Sequence, residues 1–331
     1  MTIQSDDTRT DNPRALWYEA AGRASLRPAR LPRPDAGDVV VRTLWSGISR
    51  GTERLVFNGR VPESEYERMR CPHQDGAFPF PVKYGYALVG RVVEGPAERL
   101  GQTVFLLHPH QSMAVVPGLV AHALPDGLPP RRAVLAANME TALNAVWDSG
   151  VSAGDRVLVV GGGVVGLMIA HLCAGMPDTT VSVTDPQPDR AAVSHALGAA
   201  FHPPSAAPGE QDVVFHTSAS AEGLNLALAA AGPEARVVEV SWHGASMVDV
   251  ALGAAFHARR LRLVSSQVGQ IPAARRPRWD TARRMAAALR LLLDPRLDAL
   301  ITREVDFHSL PERLPEVLSA PSSGLATVVR Y

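Results

Sequence analysis

Asp155-Arg-Val-Leu-Val-Val-Gly161-Gly-Gly163-Val-Val-Gly166-Leu-Met-Ile-Ala170 places G-x-G-x-x-G between an apolar run and an apolar helical stretch. A turn of that kind can hold a pyrophosphate. Gly161 permits the sharp strand-to-helix turn, Gly163 lets backbone approach the phosphates, and Gly166 lets the helix pack closely on the sheet. The anion then lies against the N-terminus of a helix opened by Val164 and Val165. A second apolar strand, Thr180-Val-Ser-Val-Thr184, ends in Asp185. That acid follows the last glycine by roughly 19 residues, where a dinucleotide fold places the carboxylate that bonds the adenosine ribose. A 2′-phosphate there would meet like charge, and Arg190 is poorly placed to clamp it, so NAD is expected over NADP. A glycine-rich turn in an ordinary α/β domain, or one serving S-adenosylmethionine, is the competing reading of the same residues.

Length and composition bound the rest. The chain has 331 residues, enough for two domains of ordinary size. Lys plus Arg and Asp plus Glu are equal at 33 each, so no global field draws nucleic acid or an anionic membrane. Only Cys71 and Cys173 are present, too few for a disulfide framework or a four-cysteine zinc lobe. With no apolar run of membrane-spanning length and a polar, acidic start through Pro13 that reads as a frayed leader, a cytoplasmic protein is expected.

Before about residue 146 the chain reads as short strands divided by proline and glycine: Asp38 to Leu44, Ala87 to Glu94, Thr103 to Leu107 and Met113 to Val116. That rhythm predicts a small β-barrel. An amphipathic helix is expected from Arg132 to Trp147. Strands and helices then alternate: Val157 to Val160, a helix from Val164, Val181 to Thr184, a helix from Asp189, Asp212 to Phe215, a helix near Ala221 to Ala231, and Arg236 to Val240. Alternation of this kind means a doubly wound parallel sheet covered on both faces. After Leu261 to Ser265 come an arginine-rich insert, a helix from Thr281 to Leu293, and a last strand in Ala326 to Tyr331 that returns to the barrel. The expected organisation is a catalytic barrel over 1–146, a dinucleotide domain over 147–272 and a return segment over 273–331, with the substrate cleft between the domains.

That order resembles the medium-chain dehydrogenase/reductase superfamily, the zinc-type alcohol dehydrogenase-like proteins, over nearly the whole chain. Val39 to Glu53 looks like the strand and loop bearing their first catalytic zinc cysteine, and Lys83 to Gly90 looks like their Gly-His-Glu segment. Ser-Gly-Ile-Ser-Arg-Gly-Thr-Glu, Ala-Asn-Met-Glu and Ser-Ser-Gln-Val-Gly resemble the bacteriochlorophyllide hydroxyethyl dehydrogenase-like branch. The resemblance implies a GroES-like barrel plus a Rossmann domain, hydride transfer with a nicotinamide cofactor, and a homodimer or homotetramer.

The departures carry chemical weight. The cysteine position falls on Ser49, or on Arg50 with another gap, and the histidine and glutamate positions fall on Tyr86 and Ala87. Serine, guanidinium and phenol replace thiolate and imidazole poorly around zinc, and Glu140 in the third region cannot hold a tight site alone. No catalytic zinc is expected, and no other metal-ligating set; His108 and His110 read as satisfied loop histidines. Without zinc something else must stabilise the alkoxide. Tyr86 is expected to do so, helped by Lys83, Ser49 or Thr52, although a plain barrel tyrosine would fit as well. Glu53 resembles the family acid behind the metal site, or else fixes the loop through Arg50, and Arg50 either reaches the pyrophosphate or is a surface arginine on a loop. Ser241, Trp242, Ser265 and Ser266 follow sheet strands at the ligand edge and are expected at the cofactor; His216 reads as a loop residue near that edge. Arg275, Arg276, Arg278, Arg283 and Arg284 either grip a substrate anion or belong to a solvated face. Two alternatives to NAD(H)-linked interconversion of a secondary alcohol and a ketone stay open: an NADPH-dependent enone or quinone reductase, and an NAD(H)-binding sensor without turnover.

Overall fold

A computed structural model describes residues 12–319 and 324–331, so most of the expected leader lies outside it. The chain divides into two compact units. One holds the chain to Val134 and takes it up again from Glu304 and from Thr327; the other runs from Leu135 to Arg303 and resumes in the short stretch before Thr327.

In the first unit, Asp38–Ile48 is the strand on which the sheet is built. It pairs antiparallel with Leu88–Glu94, Met113–Pro117 and Ala326–Arg330. Thr103–Leu106 and His122–Ala123 extend the sheet on one side, and Ile301–Asp306 lies on the other. A smaller sheet is built on the hairpin Arg14–Ala20 and Arg23–Pro28. Val39, Val41, Leu88, Val92, Val104 and Leu106 form one dry cluster. Each such side chain contributes about 1.5–3 kcal/mol by leaving water. Helix Arg50–Phe57 follows the long strand at once, which fixes Ser49, Arg50 and Thr52 on a rigid corner.

The second unit is a six-stranded parallel sheet in the order Ala200–His202, Thr180–Thr184, Arg156–Val160, Gln211–His216, Ala231–Glu239, Arg262–Ser265. Its strands read as near-continuous valine and leucine because both faces are covered. Chain order reverses between Arg156–Val160 and Gln211–His216, and ligands of open α/β sheets lie at the carboxyl ends beside such a reversal.

Two boundaries differ from those expected. The single helix from Arg132 to Trp147 is two, Pro130–Ala133 and Ala136–Ser149, because Leu135 leaves helical geometry with ψ 0°. Ala136–Ser149 packs on Val164–Ala174 and on Thr281–Leu291. It therefore belongs with the parallel-sheet unit, as does Thr281–Leu291, which the sequence reading had assigned to the return segment.

Candidate active site

The glycine turn in the second unit is built as its residues dictate. Gly161 has φ +113°, and a Cβ there would stand 2.8 Å from the Ser218 nitrogen. At Gly166 a Cβ would fall 2.1 Å from the Gly161 carbonyl oxygen, so only glycine lets Val164–Ala174 start this close to the strand. Gly163, the residue preceding that helix, has nothing within 4 Å of its Cβ position, which leaves room on the side where a pyrophosphate needs it. Val164 and Val165 form the first turn.

Asp185 follows strand Thr180–Thr184 and is fixed by backbone: its Oδ2 accepts from the Gly162 N–H at 2.7 Å and its Oδ1 from the Gln187 N–H at 2.8 Å. Each oxygen retains a second lone pair for a ribose hydroxyl. Arg190 is buried; its Nη2 donates to Gln187 Oε1 at 2.6 Å and to the Gly324 carbonyl at 3.2 Å. On the other side of the reversal, Thr217 Oγ1 donates to the Gly161 carbonyl at 2.8 Å and ties the two strand ends together. Ser241 Oγ accepts from the Ala219 N–H at 3.0 Å, and half-buried Trp242 follows it. Ser266 spends its hydroxyl on Asp148 at 2.7 Å, leaving backbone as what this segment can offer a ligand; Ser265 is exposed at the end of its strand.

In the first unit, Tyr86, Ser49 and Thr52 come together: the Tyr86 phenol hydrogen-bonds with both hydroxyls, while burial pushes its pKa up to about 12. Ser49 precedes helix Arg50–Phe57 without capping it through its side chain. Its backbone N–H donates instead to Glu53 Oε1 at 2.7 Å. Glu53 is fully buried. Its Oε2 accepts from Tyr18 Oη at 2.6 Å and lies 3.0 Å from His110 Nε2. Burial acts to raise the Glu53 carboxyl, but His110 and the bonds from His110, Tyr18 and Ser49 outweigh it and hold the group below its ordinary value. On the far side of the imidazole, Nδ1 is 2.7 Å from Ser46 Oγ, which is 3.0 Å from Tyr331 Oη. Gly85, at φ +125°, leaves room for that ring, since a Cβ there would stand 2.8 Å from His110 Cδ2. Glu53 thus supports the loop through Ser49, Tyr18 and His110, partners that sequence spacing does not reveal.

Lys83 reaches other partners. Its ammonium donates to Gln111 Oε1 at 3.2 Å and lies 4.0 Å from Asp75, and burial lowers its pKa. His108 stacks on His73 and hydrogen-bonds the Pro109 carbonyl; burial holds it neutral, with a pKa of about 3. The thiols of Cys71 and Cys173 are buried and pushed up to about 12. Arg50 opens the helix half-buried.

Two features depart from expectation. Glu140, the remaining acid in the third zinc-ligand region, is committed to Arg284 at 3.0 Å. That guanidinium also donates to Asn144 at 2.5 Å and the Val268 carbonyl at 2.6 Å, so Arg284 is a buried strut and no grip for an anion. Its neighbours are spent on packing too: Arg283 lies over Trp279 at 4.1 Å, Arg275 over Trp147 at 5.4 Å, and Arg276 donates to the Ile271 carbonyl. Asp280 caps the Arg283 N–H at 2.7 Å and offsets the cost of cations at that helix start. His216 is a buried strand residue rather than a loop one; it bonds Glu239 and Ser218, and Glu239, which no sequence pattern marks, lies beside His243 as well.

Ser49 and Tyr86 thus offer a hydrogen-bonded serine and phenol within the first unit, and Glu140, in the second, offers a carboxylate bound by Arg284. A serine hydroxyl and a phenol are poor ligands for zinc.

No family model matches the chain. In sequence it is 24% identical over 308 residues to D-guloside 3-dehydrogenase of Escherichia coli K12, covering 84% of this chain and 88% of that one. It is 34% identical over 87 residues to 2-desacetyl-2-hydroxyethyl bacteriochlorophyllide A dehydrogenase of Cereibacter sphaeroides, covering 24% and 23%. In structure it is similar to a protein described as a zinc-binding dehydrogenase from Sinorhizobium meliloti 1021 bound to NADP, with TM-score 0.76, 22% identity and coverage of 97% and 100%. It is also similar to an alcohol dehydrogenase from E. coli CFT073 complexed with NADH, with TM-score 0.76, 18% identity and the same coverage. The fold is that of a GroES-like unit combined with a Rossmann unit. In sequence and in fold the chain is thus similar to zinc-type alcohol dehydrogenase-like oxidoreductases of the medium-chain dehydrogenase/reductase superfamily.

Proposed function

We propose that the protein is a zinc-independent oxidoreductase that uses NAD(H) to interconvert a secondary alcohol and its ketone, in a polyol or glycoside-like substrate. The observation that carries this reading is the joint placement of Tyr86, Ser49 and Thr52. A phenol oxygen can accept from two hydroxyls and still donate its own proton. In this arrangement Ser49 and Thr52 occupy the lone pairs of Tyr86, and the phenol proton is left to aim at a substrate oxygen.

A nicotinamide cofactor supplies hydride exchange at the substrate carbon. Tyr86 meets the oxygen on which negative charge develops, and Ser49 and Thr52 stabilise the phenolate if the proton moves. A phenol is protonated at neutral pH at its ordinary pKa of 10.0, and burial of Tyr86 raises that value further, so Tyr86 acts as a hydrogen-bond donor to the substrate oxygen. Glu53 has its oxygens occupied by Ser49, Tyr18 and His110 and acts by holding the loop.

The Gly161–Gly166 turn would hold the pyrophosphate and Asp185 the adenosine ribose. The fixed negative charge of Asp185 and the prior engagement of Arg190 support NADH over NADPH. A ring secondary alcohol as substrate is supported by the relative named D-guloside 3-dehydrogenase. The test is NADH consumption with a panel of ring ketones beside a panel of enones and quinones. Consumption with ketones is expected; consumption with the enones or quinones alone would give the reductase reading instead.

A further inference from the structure

His216, Glu239 and His243 each bring a ligand atom within 4.8 Å of the other two, and no other such group of three occurs among the described residues. We propose that these side chains form a site for a divalent transition metal of the zinc class. The site belongs to the dinucleotide unit and does not use Ser49 or Tyr86. No metal-ligating set is expected from sequence, because His216 lies 23 residues from Glu239 and meets it only through the pairing of their strands. The inference is independent of the proposed dehydrogenase activity.

His216 and Glu239 are register partners on adjacent parallel strands, so their side chains share a face. Glu239 Oε1 accepts from the Ser241 N–H at 2.8 Å. That leaves Oε2 toward both rings, 2.6 Å from His216 Nδ1 and 3.5 Å from His243 Nε2. Imidazole nitrogen and carboxylate oxygen on one tetrahedral zinc stand roughly 3.3 Å apart, given bond lengths of about 2.0–2.2 Å. The two observed separations bracket that value.

Two histidines and one carboxylate with an open fourth position are a donor set that zinc accepts. An outer shell is also in place. His216 Nε2 lies 2.7 Å from Ser218 Oγ, itself 3.1 Å from Ser220 Oγ, the hydroxyl that caps helix Ala221–Ala230. Such a partner fixes which ring nitrogen faces the ion. On binding, the metal takes the Nδ1 lone pair, and the single proton of the neutral imidazole sits on Nε2, where Ser218 Oγ accepts it.

The experiment is a titration of chelator-treated full-length protein with Co²⁺, then Zn²⁺, followed by visible absorption and by calorimetry. A single equivalent of Co²⁺ should give the intense bands of a tetrahedral site, and Zn²⁺ should abolish them. The His243 side chain is 17% exposed, so its truncation is expected to leave the fold intact. His243→Ala should weaken Co²⁺ binding by more than the roughly 10–100-fold that loss of an outer-shell partner costs, and Ser218→Ala by about that amount. Tyr86→Phe should bind as the wild type does. Absence of the bands in folded wild-type protein, or unchanged binding by His243→Ala, would overturn the site and leave a hydrogen-bonded triad only.

Discussion

The Gly162 N–H donates to Asp185 Oδ2 at 2.7 Å, so the carboxylate proposed to hold the ribose also holds the glycine turn. Two tasks on one group make a specific prediction. Asp185→Asn should weaken NADH binding by about 10–100-fold, the worth of a hydrogen bond to a charged group. NADPH binding should weaken less or improve, because the repulsive charge is gone. Paired titrations of both dinucleotides, followed by tryptophan fluorescence, check this; equal losses for the two would remove Asp185 from cofactor choice.

Tyr86 should stay protonated far into alkali. Its pKa is pushed up to about 12 from an ordinary 10.0, burial being the largest cause. A spectrophotometric titration of wild type against Tyr86→Phe should therefore show the missing phenol only above the ordinary tyrosine range. A difference near pH 10.0 would mean that the phenol is solvated and unfit for the donor role.

Glu53 makes an acid-stability prediction. Its folded pKa is depressed below the ordinary 4.5, so the folded protein binds protons there less readily than the unfolded chain. The stability it contributes is present in full above about 4.5 and is lost as pH falls through the lower folded value. Denaturation midpoints measured from neutral pH down to pH 3 should fall in that window for wild type. Glu53→Gln should be less stable at neutral pH and lack that part of the decline.

Arg284 is a buried cation whose partners are Glu140, Asn144 and the Val268 carbonyl. Arg284→Ala leaves the Glu140 carboxylate buried without it and should cost about 3–5 kcal/mol. Replacing Arg284 and Glu140 together by apolar residues of similar volume should recover much of that loss. Denaturant melts of both variants provide the measurement, and a neutral Arg284→Ala would contradict the strut.

The dinucleotide unit was legible because its determinants are local: valine runs for strands buried on both faces, glycines at a turn that excludes Cβ, and an acid at the end of the next strand. The partners of Glu53 were not, since His110 and Tyr18 reach it from 57 and 35 residues away. Hairpin Arg14–Ala20 with Arg23–Pro28 passed unnoticed because its two strands mix charged and apolar residues with little alternation of burial. Prolines 311 and 315 masked helix Leu310–Val317, where the first stands in the tolerated opening turn. Sequence offered an anion grip or a solvated face for Arg283 and Arg284, and the packing of Arg283 on Trp279 and of Arg284 on Glu140 was not legible, because those partners are set by tertiary contacts.

The central claim is that Tyr86, in place of a metal, stabilises the substrate oxygen. Its most direct test is the rate of ketone reduction by NADH with wild type and Tyr86→Phe, on a ring ketone that the wild type turns over. The predicted result is a fall in kcat of about 10²–10³-fold, the cost of removing one oxyanion donor, with NADH affinity unchanged. Full turnover by Tyr86→Phe would contradict it.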